Sequence, residues 1–374
     1  MRPFSASRGT GAGRRVATIL ITATALSGLI GLAAACGDDS DDAADATSVA
    51  STAAAGSADD VGLINTYPPV EFDEPDPGLE VVLLQAHRTD AFAISSAQAV
   101  QELGEENGVG VTVNDAGGYQ NVPKQIDQIE AAILQEPDAL IVWATDPTAI
   151  VPALQKAVDA GIKVVGYTQP PDMPVDFTVT GDFTLDGETM ASSLFRKMGG
   201  QGEAMVILGG AGSAYQAALQ QGWDTALTDY PDIDVVATQT IPDFDPAKVQ
   251  SAVENQLIRN PDLKGVMSST TAMAAAAADA FTAAGKTDAY SVGQILGDCA
   301  QIRLLQENKL AIVLGVPAVY YGQLVMGNTI RSLQGESVEK LTVIPGNVYT
   351  PENIDEAPLE LEIAPEFREG CSTD

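Results

Sequence analysis

The sequence is poor in the residues that build metal centres and covalent catalytic sites. It has three cysteines and a single histidine, His87, in 374 residues. These are not clustered as zinc ligands are, so we expect no metal site. Basic residues are also scarce, with 19 Lys and Arg against 51 Asp and Glu and a net charge of −32. Such an acidic surface repels phosphate backbones, which excludes nucleic acid as a partner.

The sequence also lacks a complete nucleotide-binding motif. No full Walker motif occurs, and the glycine-rich stretch 209–212 lacks the third glycine of a dinucleotide fingerprint. A tight turn is the better interpretation of that stretch. We therefore expect no cofactor and no enzymatic activity.

The N-terminus has the three parts of an export signal. Four arginines precede an uncharged run from 16 to 35, which ends in three alanines before Cys36. This ending resembles the lipobox of bacterial lipoproteins and predicts a signal peptide at 1–35 and a lipidated Cys36. An uncleaved anchor helix is the alternative. Arg14 and Arg15 leave both Sec and twin-arginine export open.

Composition changes after Cys36. Residues 36–60 are mainly Ala, Ser, Thr, Gly and Asp, which predicts a disordered tether, and 61–78 form a proline-containing lead-in. Cys299 and Cys371 remain after lipidation, and an oxidising exterior favours a disulfide between them. A nucleophilic Cys299 acting with His87 is the weaker alternative.

Short apolar runs alternate with helical patterns through most of the chain. Between 79 and 169, strand candidates lie at 80–85, 109–113, 139–143 and 162–167, and Ile126, Ile129 and Ile133 recur at helical spacing between two of them. The alternation then repeats, with strands expected at 177–180, 204–208, 233–240, 266–268, 290–293, 310–315 and 343–344. The pattern predicts an α/β protein with two units of parallel sheet covered by helices, whose ligands bind beyond the carboxyl ends of the strands.

Several loops, taken in order, resemble type I periplasmic solute-binding proteins of the ribose-binding-like branch. The matching stretches are Thr89-Asp90-Ala91-Phe92, Ala144-Thr145-Asp146-Pro147, Gly181-Asp182, Gly222-Trp223, Asp243-Phe244-Asp245 and the run from Asn260 to Val266. The resemblance implies two Rossmann-like lobes with parallel sheets, joined by a three-segment hinge that closes on ligand. Lobe 1 would comprise 79–182 and 316–342, and lobe 2 would comprise 183–315 and 343–350. Residues 351–374 are interpreted as an acidic tail held only by Cys371.

The resemblance also implies a ligand site between the lobes. Phe92 and Phe244 match positions where aromatic rings stack on sugars, whereas polar positions of sugar binders are replaced here by Trp143 and by Thr168 and Gln169. The full set of expected ligand-binding residues is His87, Arg88, Thr89, Asp90, Phe92, Trp143, Thr168, Gln169, Tyr215, Gln216, Phe244, Thr270, Thr271, Gln294 and Asp298. The alternative is structural: the aromatic residues Phe92, Trp143 and Phe244 could belong to the core, and Thr168, Gln169, Thr270 and Thr271 could be ordinary turn residues.

The resemblance implies a monomeric, lipid-anchored protein on the outer face of the cell membrane. It would capture a small neutral solute, with a sugar or polyol leading, and deliver it to an ABC permease. A receptor that presents ligand to a membrane sensor kinase is the alternative function. A non-sugar cyclic or aromatic solute is the alternative ligand.

Overall fold

The computed structural model describes residues 64–210, 213–369 and 371. The expected signal peptide, Cys36, the tether and the first residues of the lead-in lie outside this range. Within it, no helix combines the length and the apolar character needed to cross a bilayer.

The first sheet has six strands, all parallel, in the order β11-β5-β4-β3-β1-β2. Its strands are β1 (Glu80–Gln85), β2 (Gly110–Asp115), β3 (Ala139–Val142), β4 (Lys163–Tyr167), β5 (Thr178–Thr180) and β11 (Leu341–Val343). The helices that follow or cover them are α1 (Ala91–Glu106), α2 (Val122–Ile133), α3 (Val151–Asp159) and α9 (Ala318–Leu333). The central strands β1 and β3 are almost wholly buried, as a sheet covered on both faces requires.

The second sheet also has six strands, in the order β12-β10-β9-β8-β6-β7, and only β12 is antiparallel to its neighbour. Its strands are β6 (Gln201–Leu208), β7 (Asp232–Thr240), β8 (Leu263–Ser268), β9 (Tyr290–Gln294), β10 (Leu310–Gly315) and β12 (Asn347–Tyr349). Its helices are α4 (Phe183–Lys197), α5 (Ala214–Leu227), α6 (Pro246–Arg259), α7 (Thr271–Ala283) and α8 (Cys299–Gln306). The two-sheet α/β architecture expected from the sequence is confirmed.

The chain passes between the sheets three times, at 181–182, 316–317 and 344–346. We call these the first, second and third crossovers. The third differs from the expected position, because Val343 still pairs in the first sheet and the Ile344 N–H donates to the Thr180 carbonyl at 2.8 Å. The sequence did not reveal this boundary, because Val343 and Ile344 are both apolar and either could end a strand of the first sheet or begin one of the second.

The C-terminal segment is packed into the protein, so its interpretation as a tail held only by Cys371 is wrong. It forms a 3₁₀ turn (Ile354–Glu356) and the short helices α10 (Leu359–Glu362) and α11 (Pro365–Arg368). Glu362 and Ile363 are fully buried, and the Ala364 N–H donates to Ser95 Oγ on α1 at 2.9 Å. The Cys299–Cys371 disulfide adds a covalent link and leaves no thiol for the alternative nucleophile.

Candidate functional site

The carboxyl ends of the two sheets face each other across a cleft, which is where the topology of open α/β sheets places ligands. Fourteen residues from both sheets line it: His87, Asp90, Phe92, Tyr119, Trp143, Thr168, Gln169, Phe183, Tyr215, Phe244, Thr270, Gln294, Ile295 and Val316. Ten of them are among the residues expected from the sequence. We refer to this surface as the cleft.

Aromatic rings dominate the cleft and meet around His87. The His87 ring centroid lies 4.8 Å from that of Trp143 and 5.3 Å from that of Tyr119. Phe244, which follows the second sheet's β7, stacks on His87 at 6.0 Å with the ring planes inclined by 28°. This last contact joins the two sides of the cleft.

The glycine-rich stretch after β6 makes room for these rings. A Cβ atom on Gly209 would overlap the Phe244 ring, and one on Gly210 would lie 3.1 Å from both Phe244 and Tyr119. Glycine is therefore required here by close aromatic packing, rather than by a phosphate group.

Backbone conformation is unusual at three cleft residues. Thr168, Phe244 and Ile295 have φ angles of 49°, 54° and 75°, a region that residues with a Cβ atom seldom adopt. Such conformations are retained at ligand sites when the surrounding structure demands them. Each of the three follows closely after a strand, so the strained backbone turns its side chain into the cleft.

Gln169 connects the two sides of the cleft through hydrogen bonds. Its Nε2 donates to the Ala144 carbonyl at 3.0 Å, while its Oε1 accepts from Ser213 Oγ and from the Tyr215 N–H, both at 3.3 Å. Both ends of this amide are thus committed to the protein. Gln169 therefore helps to hold the lobes together, and its bond to Ala144 uses one of the two Nε2 protons.

Other polar groups of the cleft remain open to a ligand. The Thr168 hydroxyl is buried and has no hydrogen-bond partner within the described residues. Asp90 caps α1 by accepting from the Ala93 N–H at 2.8 Å, and its other oxygen lies 3.8 Å from His87 Nδ1. Because an unpaired buried hydroxyl costs free energy, Thr168 is well placed to bond a ligand that supplies the missing partner.

The two tyrosines of the cleft are neutral hydrogen-bonding groups. Burial raises the pKa of both Tyr119 and Tyr215 well above the usual value, and neighbouring negative charge such as that of Asp90 acts in the same direction. Asp90 is the only carboxylate that lines the cleft, and no Lys or Arg does. An anionic solute would therefore meet no Lys or Arg among these fourteen residues.

Five expected residues lie outside the cleft. Arg88 is half-buried, and Thr89 is exposed with its Oγ1 3.1 Å from His87 Nδ1. Gln216 Oε1 accepts from Ser269 Oγ at 2.5 Å and from the Gly209 N–H, so it supports the glycine loop. Thr271 is buried in the first turn of α7, and Asp298 caps α8 by accepting from the Ala300 and Gln301 N–H groups.

Four cleft residues were not among the expected ligand-binding residues: Tyr119, Phe183, Ile295 and Val316. A signal for them existed, because each follows a strand end or a crossover by no more than four residues. The expected ligand-binding residues were chosen among polar residues at strand ends and among positions that match the family. Among the described residues, no group of three or more His, Cys, Asp or Glu side chains is arranged to hold a metal ion.

Comparison with known proteins identifies the family. A family model described as "Periplasmic binding protein domain" matches residues 81–337. The ribose import binding protein RbsB of Bacillus subtilis is 26% identical over 260 residues, covering 69% of this chain and 83% of that protein. The periplasmic protein TorT of Escherichia coli is 26% identical over 278 residues, covering 74% and 79%.

Solved structures agree at the level of the fold. An ABC transporter periplasmic solute-binding protein from Actinobacillus succinogenes with bound D-allose superposes with a TM-score of 0.69 at 20% identity, covering 75% of this chain and all of that one. The family model covers more than half of the chain, and the two-sheet fold with a cleft between the sheets agrees with it. This protein therefore belongs to the periplasmic binding protein family.

Proposed function

We propose that the protein is the extracytoplasmic binding component of an ABC importer, and that it captures a small neutral sugar or polyol in the cleft. The observation that carries the proposal is the cleft lining itself. Aromatic rings from both lobes, with the His87 ring among them, surround a few hydrogen-bonding groups, and the lining residues include one carboxylate, Asp90, and no Lys or Arg. An apolar ring face packs on aromatic side chains, while hydroxyls and amides fix its orientation.

Ligand entry requires the lobes to separate. The cleft encloses about 40 Å³, which is little more than the volume of one water molecule. Small-molecule sites usually measure roughly 300–1,000 Å³. Hinge bending at the three crossovers would part His87 from Phe244 and admit the solute, and closure would then bury it.

The relatives support a carbohydrate-like ligand over a non-sugar aromatic solute. One is named for ribose import, and the similar solved structure holds D-allose. The cleft of this protein has few charged groups, so a ligand with hydroxyls and one apolar face fits it well. A monomer with its lobes held by one chain is sufficient for capture.

Membrane anchoring through Cys36 completes the proposal. The acidic, low-complexity tether would hold the lobes near a permease without restricting their hinge motion. Anchoring is tested by expressing the full chain and a Cys36→Ala variant and comparing the membrane and soluble fractions. The proposal requires the native protein to be found in the membrane fraction and the lipid-free Cys36→Ala variant in the soluble fraction. The same distribution of the two proteins between the fractions would contradict it.

A receptor that presents ligand to a membrane sensor kinase is the second candidate. The similarity to TorT favours it, because that relative is not named as an import protein. Uptake of radiolabelled ligand by cells that carry or lack the gene separates the two. Loss of uptake supports the importer, and unchanged uptake with altered gene expression supports the receptor.

Ligand binding is tested by tryptophan fluorescence of the full chain against D-ribose, D-allose, xylitol and glycerol. The chain has two tryptophans, Trp143 in the cleft and Trp223 fully buried in the core of the second lobe. We expect a saturable change with at least one compound, lost in Trp143→Phe and kept in Trp223→Phe. A response only to non-sugar aromatic compounds would overturn the sugar assignment, and a change that survives in Trp143→Phe would place binding outside the cleft.

A further inference from the structure

Asp186 is a buried carboxyl that connects the cleft with the hinge. It lies in the first turn of α4, directly after the first crossover, and is 7% exposed. Its Oδ2 accepts from Gln294 Nε2 at 2.5 Å. On its other side, a Cβ on Gly346 of the third crossover would lie 3.4 Å from Oδ1. Asp186 does not line the cleft itself, but its partner Gln294 does.

The other end of the Gln294 amide is hydrogen-bonded to a second cleft residue, Tyr215. Its Oε1 accepts from the Tyr215 hydroxyl at 2.8 Å, and the same hydroxyl lies 2.9 Å from the Ser269 carbonyl. An amide has one end that donates and one that accepts. The group bonded to one end therefore decides which chemistry the other end presents to Tyr215 and the cleft.

The surroundings of Asp186 hold no compensating cation among the described residues. The titratable groups that face it are Asp182 of the first crossover, which caps α4, Tyr67 of the lead-in, Tyr215 of α5 and Tyr321 of α9. Burial and the charge of Asp182 raise the pKa of Asp186 to about 8, although the hydrogen bond from Gln294 acts in the opposite direction. Asp186 thus gains or loses its proton close to neutral pH.

We propose that Asp186 is a positioning residue whose proton controls the orientation of the Gln294 amide, and with it the hydrogen-bond pattern offered to ligand. Ionised Asp186 only accepts, so it holds Nε2 towards itself and Oε1 towards Tyr215. Protonated Asp186 can donate to Oε1, and the amide is then free to turn and direct Nε2 at the Tyr215 hydroxyl. This inference rests on the proposed function, since it concerns the ligand contacts of the same cleft.

The first test needs no ligand. NMR spectra of the ¹⁵N-labelled full chain are recorded from pH 6 to pH 9.5. The side-chain amide signal of Gln294 is assigned by its absence from the spectrum of Gln294→Ala. We expect it to titrate in the native protein and to stay constant in Asp186→Asn. Asp182→Asn serves as the matched control, because it should keep the transition but move its midpoint to lower pH. A native Gln294 signal that does not change across this range would overturn the inference, even if Asp186→Asn fails to fold.

The second test measures affinity. The dissociation constant of D-ribose or D-allose should change about threefold to tenfold between pH 6.5 and pH 9, the range expected for gain or loss of one neutral hydrogen bond, and should be flat in Asp186→Asn. An equal pH dependence in native protein and Asp186→Asn would contradict the inference. If neither sugar binds at any pH, the proposed ligand class fails while the amide titration still decides the role of Asp186.

Discussion

Glu362 offers a sharp test of how the C-terminal segment is held. Its carboxyl is fully buried, and its Oε1 accepts from Asn347 Nδ2 and from the Tyr349 hydroxyl, both at 2.6 Å. Its Oε2 has no partner within the described residues. Burial raises the pKa of Glu362 from 4.5 to about 7, and the hydrogen bonds from Tyr349 and Asn347 offset only part of this rise.

The sign of the pH dependence follows from that shift. Well below pH 4.5 the carboxyl of Glu362 is protonated in both the folded and the unfolded chain. As the pH rises, the unfolded chain loses this proton first, so the free energy of unfolding falls until the folded pKa has been passed. At about 1.4 kcal/mol per pH unit, the interval between 4.5 and about 7 corresponds to a loss of about 3 kcal/mol.

Replacing Glu362 by Gln removes this loss while preserving the shape of the side chain. We expect the free energy of unfolding of Glu362→Gln, relative to that of the native protein, to rise by about 3 kcal/mol between pH 4 and pH 8. Urea denaturation at a series of pH values measures it. Glu360→Gln, on the exposed side of the same helix, is the matched control and should show almost no pH-dependent difference. A constant difference between Glu362→Gln and native protein across this range would refute the reasoning.

Three further changes have defined outcomes. Gly209→Ala should displace the Phe244 ring, and circular dichroism should give a lower melting temperature together with weaker sugar binding by fluorescence. Reduction of the Cys299–Cys371 disulfide, which joins residues 72 apart, should lower the free energy of unfolding by about 2–4 kcal/mol, and a Cys299→Ser, Cys371→Ser variant should be insensitive to reductant. Asp298→Ala removes the cap of α8 and should cost about 1 kcal/mol in urea denaturation, whereas an unchanged midpoint would contradict the capping role.

The strand-end polar residues illustrate why site prediction from sequence was only partly specific. Asp90, Thr270 and Asp298 all follow a strand and all cap the next helix. Two of them also line the cleft, and the third does not. Sequence position gives the same expectation for all three, because capping needs only the local chain. Access to the cleft depends on how far each strand end projects towards the opposite lobe.

The C-terminal segment shows the opposite limit. An acidic, proline-containing sequence has the composition of a solvated tail, and charged residues are seldom buried without partners. Glu362 is buried because Asn347 and Tyr349 lie opposite it and supply two hydrogen bonds. Asn347 and Tyr349 belong to β12, which pairs antiparallel with β10, and no local pattern in the sequence predicts this pairing.

The sequence by itself determined the alternation of strands and helices, the presence of two α/β units and the sheet edge at which a ligand site is expected. These follow from hydrophobic periodicity, which depends only on the order of residues along the chain. Only the tertiary structure decided that His87 stacks on Phe244 and that the Phe244 ring leaves no room for a side chain at Gly209. It also decided that Asp186 accepts a hydrogen bond from Gln294, which is 108 residues away in the sequence. Such contacts arise when distant strand ends meet, and their geometry is set by the packing of both lobes together.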